Sequence, residues 1–406
     1  MLDGFAFIET PLGHRSGFGV CVRKACSIRR GAEVGLLAAS LALSFLGAEM
    51  ASRYMLLSDK MVGWSIVPSV VDRVANTRTP APGHIRIVVL GDSVTEWRDN
   101  AGDSFVRVAE RRLPTIEMVN LAEAGTGLAE YFGNLLRYGP RLQPDVVVIG
   151  LYLGNDLYPC SPTLESPQAA EAALALRPQQ RTAGEVLKRI AKRSVFLNYV
   201  FRLAKIYIRP LRSGFLERSI EALKMQTGRD DAFVASKLRQ IAPELLEAAR
   251  ADAINVWDVA IAIFYPDYYG DLAAATPGTD KGEEVIGALR DVRALITEAR
   301  RTKAKVAVVL LPPPVWVGET YRQYFRRLGY RELGPAAGPV PLIERLKTFL
   351  SAEGVPALDV LPALRAEKEK AFLDNDVHPN RRGHEVIGAE LASFLLREGL
   401  ASTSTR

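Results

Sequence analysis

Three short runs of aliphatic and β-branched residues limit the fold of this chain more than any other feature. They cover Ile85–Leu90, Asp145–Leu151 and Lys305–Leu311, and they are apolar at almost every position. Strands without an alternation of polar and apolar residues are typical of a parallel sheet that is covered on both faces. Two shorter runs, Met118–Leu121 and Pro356–Val360, bring the predicted sheet to about five strands.

Helical segments separate these strands along the chain. The sequence predicts helices over Ser104–Leu113, Leu128–Tyr138 and Gly282–Arg301, and the last of these has apolar residues at helical spacing. Strands that alternate with helices indicate a three-layer α/β sandwich of the flavodoxin-like kind, in which ligands bind at the carboxyl ends of the strands. A mostly helical insert, at about 157–281, lies between the third and fourth predicted strands.

Composition excludes several classes of protein. The 406 residues include only three Cys and four His, which excludes a disulfide scaffold and a zinc site built from cysteines. Apolar residues make up 48% and charged residues 24%, an ordinary globular composition that excludes a disordered chain. The net charge of +6 is too small to indicate a nucleic-acid partner. We therefore predict no metal, no cofactor and no nucleic acid.

The N-terminal region combines a basic tail, residues 1–33, with an uncharged apolar run that begins at Val34. This pattern predicts a transmembrane signal anchor over 34–57, with the basic tail in the cytoplasm, followed by a linker over 58–84. The main domain, 85–400, would then lie outside the cytoplasm, in the periplasm or cell envelope. A cleaved signal peptide and a buried helix of a soluble domain are the two alternatives.

The predicted insert contains a strongly basic segment. Residues 177–218 hold eleven Lys or Arg against two Glu, and aromatic residues are interleaved with this charge. A basic amphipathic helix can lie on an anionic membrane surface or line a cleft for an acidic substrate. The alternative, which we favour, is a helix whose aromatic residues pack on the core while its charges face water.

Two short segments carry residues suited to nucleophilic catalysis. Gly91-Asp92-Ser93 follows the first predicted strand, where a serine hydroxyl would project into the crevice at the edge of the sheet. His378 is the best candidate base of the four His, because it lies in a loop beside Asp376. Each segment alone also has an ordinary interpretation, since Ser93 could cap a helix and His378 could be a turn residue.

Together these segments resemble the SGNH hydrolases, also called the GDSL esterase and lipase family. The resemblance covers roughly 85–156 and 300–395 and runs through four blocks in the family's order. These blocks are Gly91-Asp92-Ser93, Asn120-Leu121-Ala122-Glu123-Ala124-Gly125, Gly154-Asn155-Asp156 and Asp376-Val377-His378-Pro379.

The resemblance implies a role for each of these blocks. Ser93 would be the nucleophile and His378 the general base. The oxyanion hole would consist of the Ser93 N–H, the Gly125 N–H and the side-chain amide of Asn155. Three neutral donors of this kind can stabilise a tetrahedral oxyanion without protonating it.

One position departs from the family's pattern, in which an Asp lies three residues before the histidine. Asn375 stands there in this sequence, so we favour Asp376 as the orienting carboxylate, with Asp374 as the second choice. Asp92 and Asp156 flank the predicted site and are expected to hold loop amides rather than to transfer protons.

The predicted function is hydrolysis of a carboxylic ester through a Ser93–His378–Asp376 acyl-enzyme mechanism. The substrate would be a small-molecule, glycan or lipid ester, such as an O-acetyl group on an envelope or extracellular glycan. One alternative is an O-acyltransferase that acts on an envelope polysaccharide, and a second is a non-catalytic glycan-binding module. The predicted N-terminal helix would make the membrane a further partner.

Overall fold

The computed structural model describes residues 40–51, 70–75, 77, 80, 82–96, 104–176, 214–251 and 253–401. The chain divides into two compact units, Met1–Lys60 and Met61–Arg406. The described part of the first unit is a helix at residues 40–51, here α1. The strands and the candidate site residues belong to the second unit.

The second unit is built on a sheet of five parallel strands. Every strand pairs in parallel with its neighbours, and the strand order is β2-β1-β3-β4-β5. All residues of β1 and β3 are buried, which explains why these two segments carry no polar–apolar alternation. The strands are β1 (Ile85–Leu90), β2 (Ile116–Asn120), β3 (Val146–Tyr152), β4 (Lys305–Leu311) and β5 (Ala357–Asp359).

Helices fill the connections between the strands. The first group, which precedes β4 in the chain, comprises α2 (Val70–Ala75), α3 (Ser93–Glu96), α4 (Phe105–Arg112), α5 (Leu128–Leu142), α6 (Ala169–Ala175), α7 (Phe215–Thr227), α8 (Asp231–Leu238), α9 (Pro243–Arg250), α10 (Val256–Phe264), α11 (Tyr268–Ala274) and α12 (Asp280–Arg301). The second group comprises α13 (Glu319–Arg327), α14 (Pro341–Ala352), α15 (Leu361–Ala366) and α16 (Arg381–Arg397).

These helices form two layers around the sheet. Helices α4 and α16 pack against each other in one layer, and α5 packs with α6 and α12 in the other. The helices from α6 to α12 all lie between β3 and β4 in the chain. The predicted fold class, a three-layer α/β sandwich with about five parallel strands and a helical insert, is confirmed.

Helix α5 extends beyond its predicted end at Tyr138, because Pro140 does not stop it. A proline inside a helix removes one backbone hydrogen bond and usually ends the helix. Here Leu142 is almost completely buried, and Arg86 donates to the Leu142 carbonyl at 2.8 Å. Burial of Leu142 and this hydrogen bond offset the loss, so the last turn stays helical.

The segment that the sequence predicts as a linker, 58–84, contains helix α2. Val70 and Val74 of this helix are buried, and Arg73 forms an ion pair with Glu96 of α3. Two apolar residues in a six-residue segment are too few to predict a helix from the sequence. The rest of this segment up to residue 69 lies outside the described residues.

The predicted transmembrane signal anchor over 34–57 is wrong for the described part of the chain. None of the helices there is long and apolar enough to cross a membrane.

Two further predictions fall outside the described residues. They are the basic tail over 1–33 and the basic segment over 177–218, of which the structure describes only residues 214–218.

The contact between α4 and α16 yields a prediction about stability. A Cβ atom at Gly388 would lie 2.5 Å from Val108 Cβ and 2.7 Å from the Phe105 carbonyl oxygen. Gly388→Ala should therefore destabilise the fold by about 1–3 kcal/mol, although alanine normally favours a helix over glycine. Urea unfolding of the full chain measures this. Ser393→Ala on the exposed face of α16 is the control, and equal midpoints for the two variants would contradict the close packing.

Candidate active site

The loops that carry the predicted site residues meet at one edge of the sheet. Strand β1 lies between β2 and β3, with Leu90 opposite Ile149 of β3. The chain leaves β1 toward β2 on one side and later returns to β3 on the other, so a crevice opens at the carboxyl ends of β1 and β3. The blocks that begin at Gly91 and Gly154 follow β1 and β3 directly, and the block that ends at Gly125 follows β2.

The short helix α3 is seated on the sheet through Thr95, whose side chain lies against two glycines. A Cβ atom at Gly91 would lie 2.3 Å from Thr95 Oγ1, and one at Gly150 would lie 2.5 Å from it. No side chain fits at either position, so both glycines are needed for this close approach. This contact places Ser93, the first residue of α3, next to the ends of β1 and β3.

The Asp92 carboxylate ties the Ser93 turn to the loop that follows β3. Asp92 is 1% exposed, and its Oδ1 accepts a hydrogen bond from the Val94 N–H at 2.9 Å. Its Oδ2 accepts from Asn155 Nδ2 at 3.1 Å. Asp92 therefore sets the position of the Asn155 amide relative to Ser93, which agrees with its expected role as a holder of loop amides.

A second network holds the loop after β2 against α3. Arg73 donates to Glu96 at 3.1 Å and to the Ala122 carbonyl at 2.6 Å, and Glu96 accepts from the Ala124 N–H at 2.7 Å. Gly125 follows with φ +75°, a left-handed conformation that glycine adopts without strain. The predicted donor at Gly125 is thus held through a chain of contacts that begins in α2.

The loop after β3 is fixed by a buried carboxylate and by a tyrosine of the insert. Asp156 accepts hydrogen bonds from the Tyr131 hydroxyl at 3.0 Å and from the Tyr152 N–H at 2.8 Å. Tyr268 of α11 donates to the Gly154 carbonyl at 2.8 Å. Asn155 lies between these two anchors and is exposed, so its amide can contact a ligand in the crevice.

His378 and Asp376 form a hydrogen-bonded pair within one loop. Asp376 Oδ1 lies 2.6 Å from His378 Nδ1, and the same oxygen accepts from the backbone N–H of Val377 at 2.6 Å and of His378 at 3.2 Å. These backbone bonds fold the carboxylate back toward the ring of the residue two positions later. With Nδ1 facing Asp376, Nε2 is the nitrogen that faces away from the carboxylate.

The structure separates the two candidate carboxylates at this loop. Asp374 is 78% exposed and pairs with Lys370 Nζ at 2.7 Å, away from the histidine ring. Asn375 adopts φ +56°, which turns the chain between the two aspartates. The Leu373 N–H donates to the His378 carbonyl at 3.0 Å and closes the loop. Asp376, and not Asp374, is therefore the partner of His378.

The environment perturbs the titration of both His378 and Asp92. Burial lowers the pKa of His378, but the hydrogen bond that Asp376 accepts and the charges of Asp376, Asp92 and Asp258 outweigh it, and the pKa is raised overall. Burial raises the pKa of Asp92 to about 6, although the Asn155 hydrogen bond, the Val94 N–H and the charge of His378 act in the opposite direction. These effects show that the Asp92 turn and the histidine loop lie close enough to interact.

Some supporting residues carry no recognisable signal in the sequence. Arg73 lies in a segment that reads as a linker, and Asp258 and Tyr268 lie in the insert. His384 is fully buried, and its Nδ1 accepts from the Phe105 N–H at the start of α4 at 3.2 Å. Burial lowers the pKa of His384 to about 3, so it stays neutral. Across the described ranges, no three His, Cys, Asp or Glu side chains group together as metal ligands.

Comparisons with known proteins reach only distant structural neighbours. No protein-family model and no curated protein matches the chain. Solved structures that match include a GDSL-like lipase from Bacteroides thetaiotaomicron, with 11% identity, 81% of this chain and 96% of that chain covered, and a TM-score of 0.35. A catalytic mutant of an acetylxylan esterase from Geobacillus stearothermophilus matches with 12% identity, 79% and 96% covered, and a TM-score of 0.35.

The lipase/acylhydrolase from Enterococcus faecalis matches with 12% identity, 77% of this chain and 96% of that chain covered, and a TM-score of 0.31. The structural neighbours are thus GDSL lipases, acylhydrolases and acetylxylan esterases. At this identity and TM-score the likeness decides nothing about activity, and the chemistry of this chain is inferred from its own side chains.

The geometry of the histidine loop predicts how His378 titrates. In the wild-type chain its pKa should lie above the ordinary value of about 6.5. Asp376→Asn removes the hydrogen-bonded charge and leaves the burial, so the pKa should fall. NMR titration of the imidazole measures both values. Asp374→Asn, which changes an exposed carboxylate in the same loop, should leave the titration unchanged, and a larger effect from Asp374→Asn than from Asp376→Asn would refute this assignment.

Proposed function

We propose that this chain is a serine ester hydrolase of the SGNH type. The observation that carries the proposal is the 2.6 Å contact between Asp376 Oδ1 and His378 Nδ1 at the sheet edge where Ser93 begins α3. A histidine oriented by a carboxylate is the arrangement that activates a serine hydroxyl for attack on a carbonyl carbon. The charge of Asp92, the residue before Ser93, acts on His378.

The reaction would proceed in two half-steps. Ser93 Oγ attacks the ester carbonyl while His378 Nε2 takes its proton, and the His378 proton then passes to the leaving alcohol as the C–O bond of the ester breaks. Water attacks the acyl-enzyme with His378 again as the base, and Ser93 leaves with its proton restored. Asp376 holds the ring and stabilises the imidazolium in both half-steps.

The oxyanion would be bound by the Ser93 N–H, the Gly125 N–H and the Asn155 amide. The contact between Asn155 Nδ2 and Asp92 supports this proposal, because it fixes the amide plane before a substrate arrives and costs no reorganisation during the reaction. Gly125 contributes through its left-handed backbone, which a residue with a side chain would adopt only with strain.

An acyl group on a glycan is the substrate class that the surroundings favour over a lipid chain. Tyr158 is 42% exposed and stacks on Tyr268 with ring centroids 6.4 Å apart, close to the Gly154–Asn155 loop. Lys281 Nζ lies 4.4 Å from the centroid of the Tyr158 ring. An exposed aromatic face beside polar groups suits a sugar ring, which offers both C–H and hydroxyl groups.

Transfer of the acyl group to a sugar hydroxyl is the second candidate function. The hydrogen bond from Tyr268 of the insert to the Gly154 carbonyl supports it, because this contact joins α11 to the loop that carries Asn155. An insert beside the site would exclude water and leave an acceptor alcohol as the partner of the acyl-enzyme.

Replacement of the nucleophile gives the first test of this proposal. Ser93→Ala in the full chain should lower kcat on p-nitrophenyl acetate by roughly 10³-fold or more, because the acyl-enzyme cannot form. A fluorophosphonate probe should label the wild-type chain and not Ser93→Ala. Ser393→Ala, which changes an exposed serine of α16, is the matched control and should keep full activity.

The outcomes separate the candidate functions. Turnover of acetate esters in preference to octanoate esters supports a deacetylase, and turnover that appears only with an added oligosaccharide supports transfer. Equal activity in the wild-type chain and Ser93→Ala, with no labelling of either, would remove the catalytic interpretation and leave a binding protein.

The oxyanion assignment gives a separate prediction for Asn155. Asn155→Ala should lower kcat on p-nitrophenyl acetate by about 10²–10³-fold with little change in KM, because the amide acts mainly on the transition state. Glu165→Gln, an exposed change further along the same connection, is the control. A rise in KM with kcat unchanged would mean that Asn155 binds the substrate rather than the oxyanion.

A further inference from the structure

The helical insert contributes a buried carboxylate that the steps above do not use. Asp258, in the first turn of α10, is 5% exposed, and its Oδ2 has no hydrogen-bond partner within the described ranges. An unpartnered buried carboxylate oxygen is costly, and a native fold rarely keeps one without a role. The hydroxyls of Tyr152 and Tyr324 are among the other buried side-chain atoms that share this property in the described structure.

Aromatic contacts hold Asp258 against the site. Tyr330 donates to the Asp258 carbonyl at 2.9 Å, and its ring lies 5.2 Å from that of Tyr269 and 5.7 Å from that of Phe325, the neighbour of Tyr324. On the other side, Tyr269 contacts Tyr268, which bonds to the Gly154 carbonyl. The insert therefore reaches from Asp258 to the loop after β3 through packed rings.

Tyr324 connects this cluster to the histidine loop. Tyr324 and Asp376 both line a cavity of about 300 Å³ beside that loop. The charges of Asp258 and Asp376 both raise the pKa of Tyr324, in addition to the larger effect of burial. Asp258 and Asp376 thus approach the same region from two different parts of the chain.

The charges at the site act on Asp258 as well. The pKa of Asp258 is raised to about 7, chiefly by burial and also by the charge of Asp376, while the charge of His378 acts in the opposite direction. In return, Asp258 is one of three carboxylates whose charge raises the pKa of His378. A carboxyl that titrates near neutrality beside a histidine ionises more readily when that histidine gains a proton.

We propose that Asp258 is a positioning residue for His378, which stabilises the imidazolium from the insert side while Asp376 holds the ring from within the loop. This inference rests on the proposed function for its kinetic part. The expected effect of Asp258 on the pKa of His378 does not depend on the proposed function.

The groups that face this pair come from several elements. His378 is faced by Asp376 of its own loop, Asp92 of the turn after β1, Asp258 of α10 and His384 of α16. Asp258 is faced by Asp376, His378, Asn255, Tyr152, Tyr269, Tyr324 and Tyr330. Among the three carboxylates that act on His378, Asp258 is the one that belongs to the insert.

The test is Asp258→Asn in the full chain, with the pH dependence of kcat/KM on p-nitrophenyl acetate as the readout. Loss of the charge should lower the pKa of His378, so the acid limb should move to lower pH by on the order of half a pH unit. The plateau value of kcat should fall several-fold while KM stays the same. Asp258→Glu should restore part of the wild-type profile, and Asp374→Asn is the matched control.

Two further measurements distinguish a failure of this inference from a failure of the proposed function. NMR titration of His378 in Asp258→Asn tests the electrostatic part without any turnover, so absence of esterase activity would overturn the proposed function but not this inference. If Asp258→Asn does not fold, Asn255→Ala removes a hydrogen bond that favours the ionised Asp258 carboxylate, so the pKa of His378 should again fall. An unchanged His378 titration in every folded variant, together with a lower urea midpoint for Asp258→Asn, would show that Asp258 serves only its helix and would overturn the inference.

Discussion

The parallel pairing of β1 with β3 is the constraint on which the candidate site depends. It places Leu90 beside Ile149, and it leaves no room for side chains where Thr95 presses against Gly91 and Gly150. Because both strands are buried, neither can move without exposing core residues to water. The turns that follow them inherit this rigidity. Ser93 and Asn155, which have to keep a fixed separation for oxyanion chemistry, lie just after these two buried strands.

The site concentrates negative charge around a single imidazole. Asp92, Asp258 and Asp376 come from three separate segments, and each favours the protonated form of His378. Burial of the ring acts against them, and it also keeps the carboxylates in a medium where charges interact strongly. Asp92 and Asp258 themselves have raised pKa values for the same reason. The site is therefore arranged to bear one positive charge on the histidine.

The strands, the fold class and the positions of the four blocks could be predicted because each rests on local pattern. Apolar runs identify β1, β3 and β4, and the blocks at Gly91 and Gly154 follow β1 and β3. The choice between Asp374 and Asp376 depends on the turn at Asn375 and on the backbone bonds to Asp376, which spacing alone does not reveal. Arg73 and Asp258 act across long sequence separations, so no local signal marks them. The apolar run after Val34 has the composition of a membrane span, but no helix within the described residues is long and apolar enough to cross a membrane.

The pairing of His378 with Asp376 inside one closed loop has a consequence for how the protein would lose activity. The Asp376 carboxylate and the His378 ring move together, because both belong to the short stretch of chain that the Leu373–His378 backbone hydrogen bond closes. Partial loosening of the domain would leave this pair intact and would instead change its distance from α3. Damage by heat or denaturant should therefore separate the base from the nucleophile before it separates the base from its carboxylate.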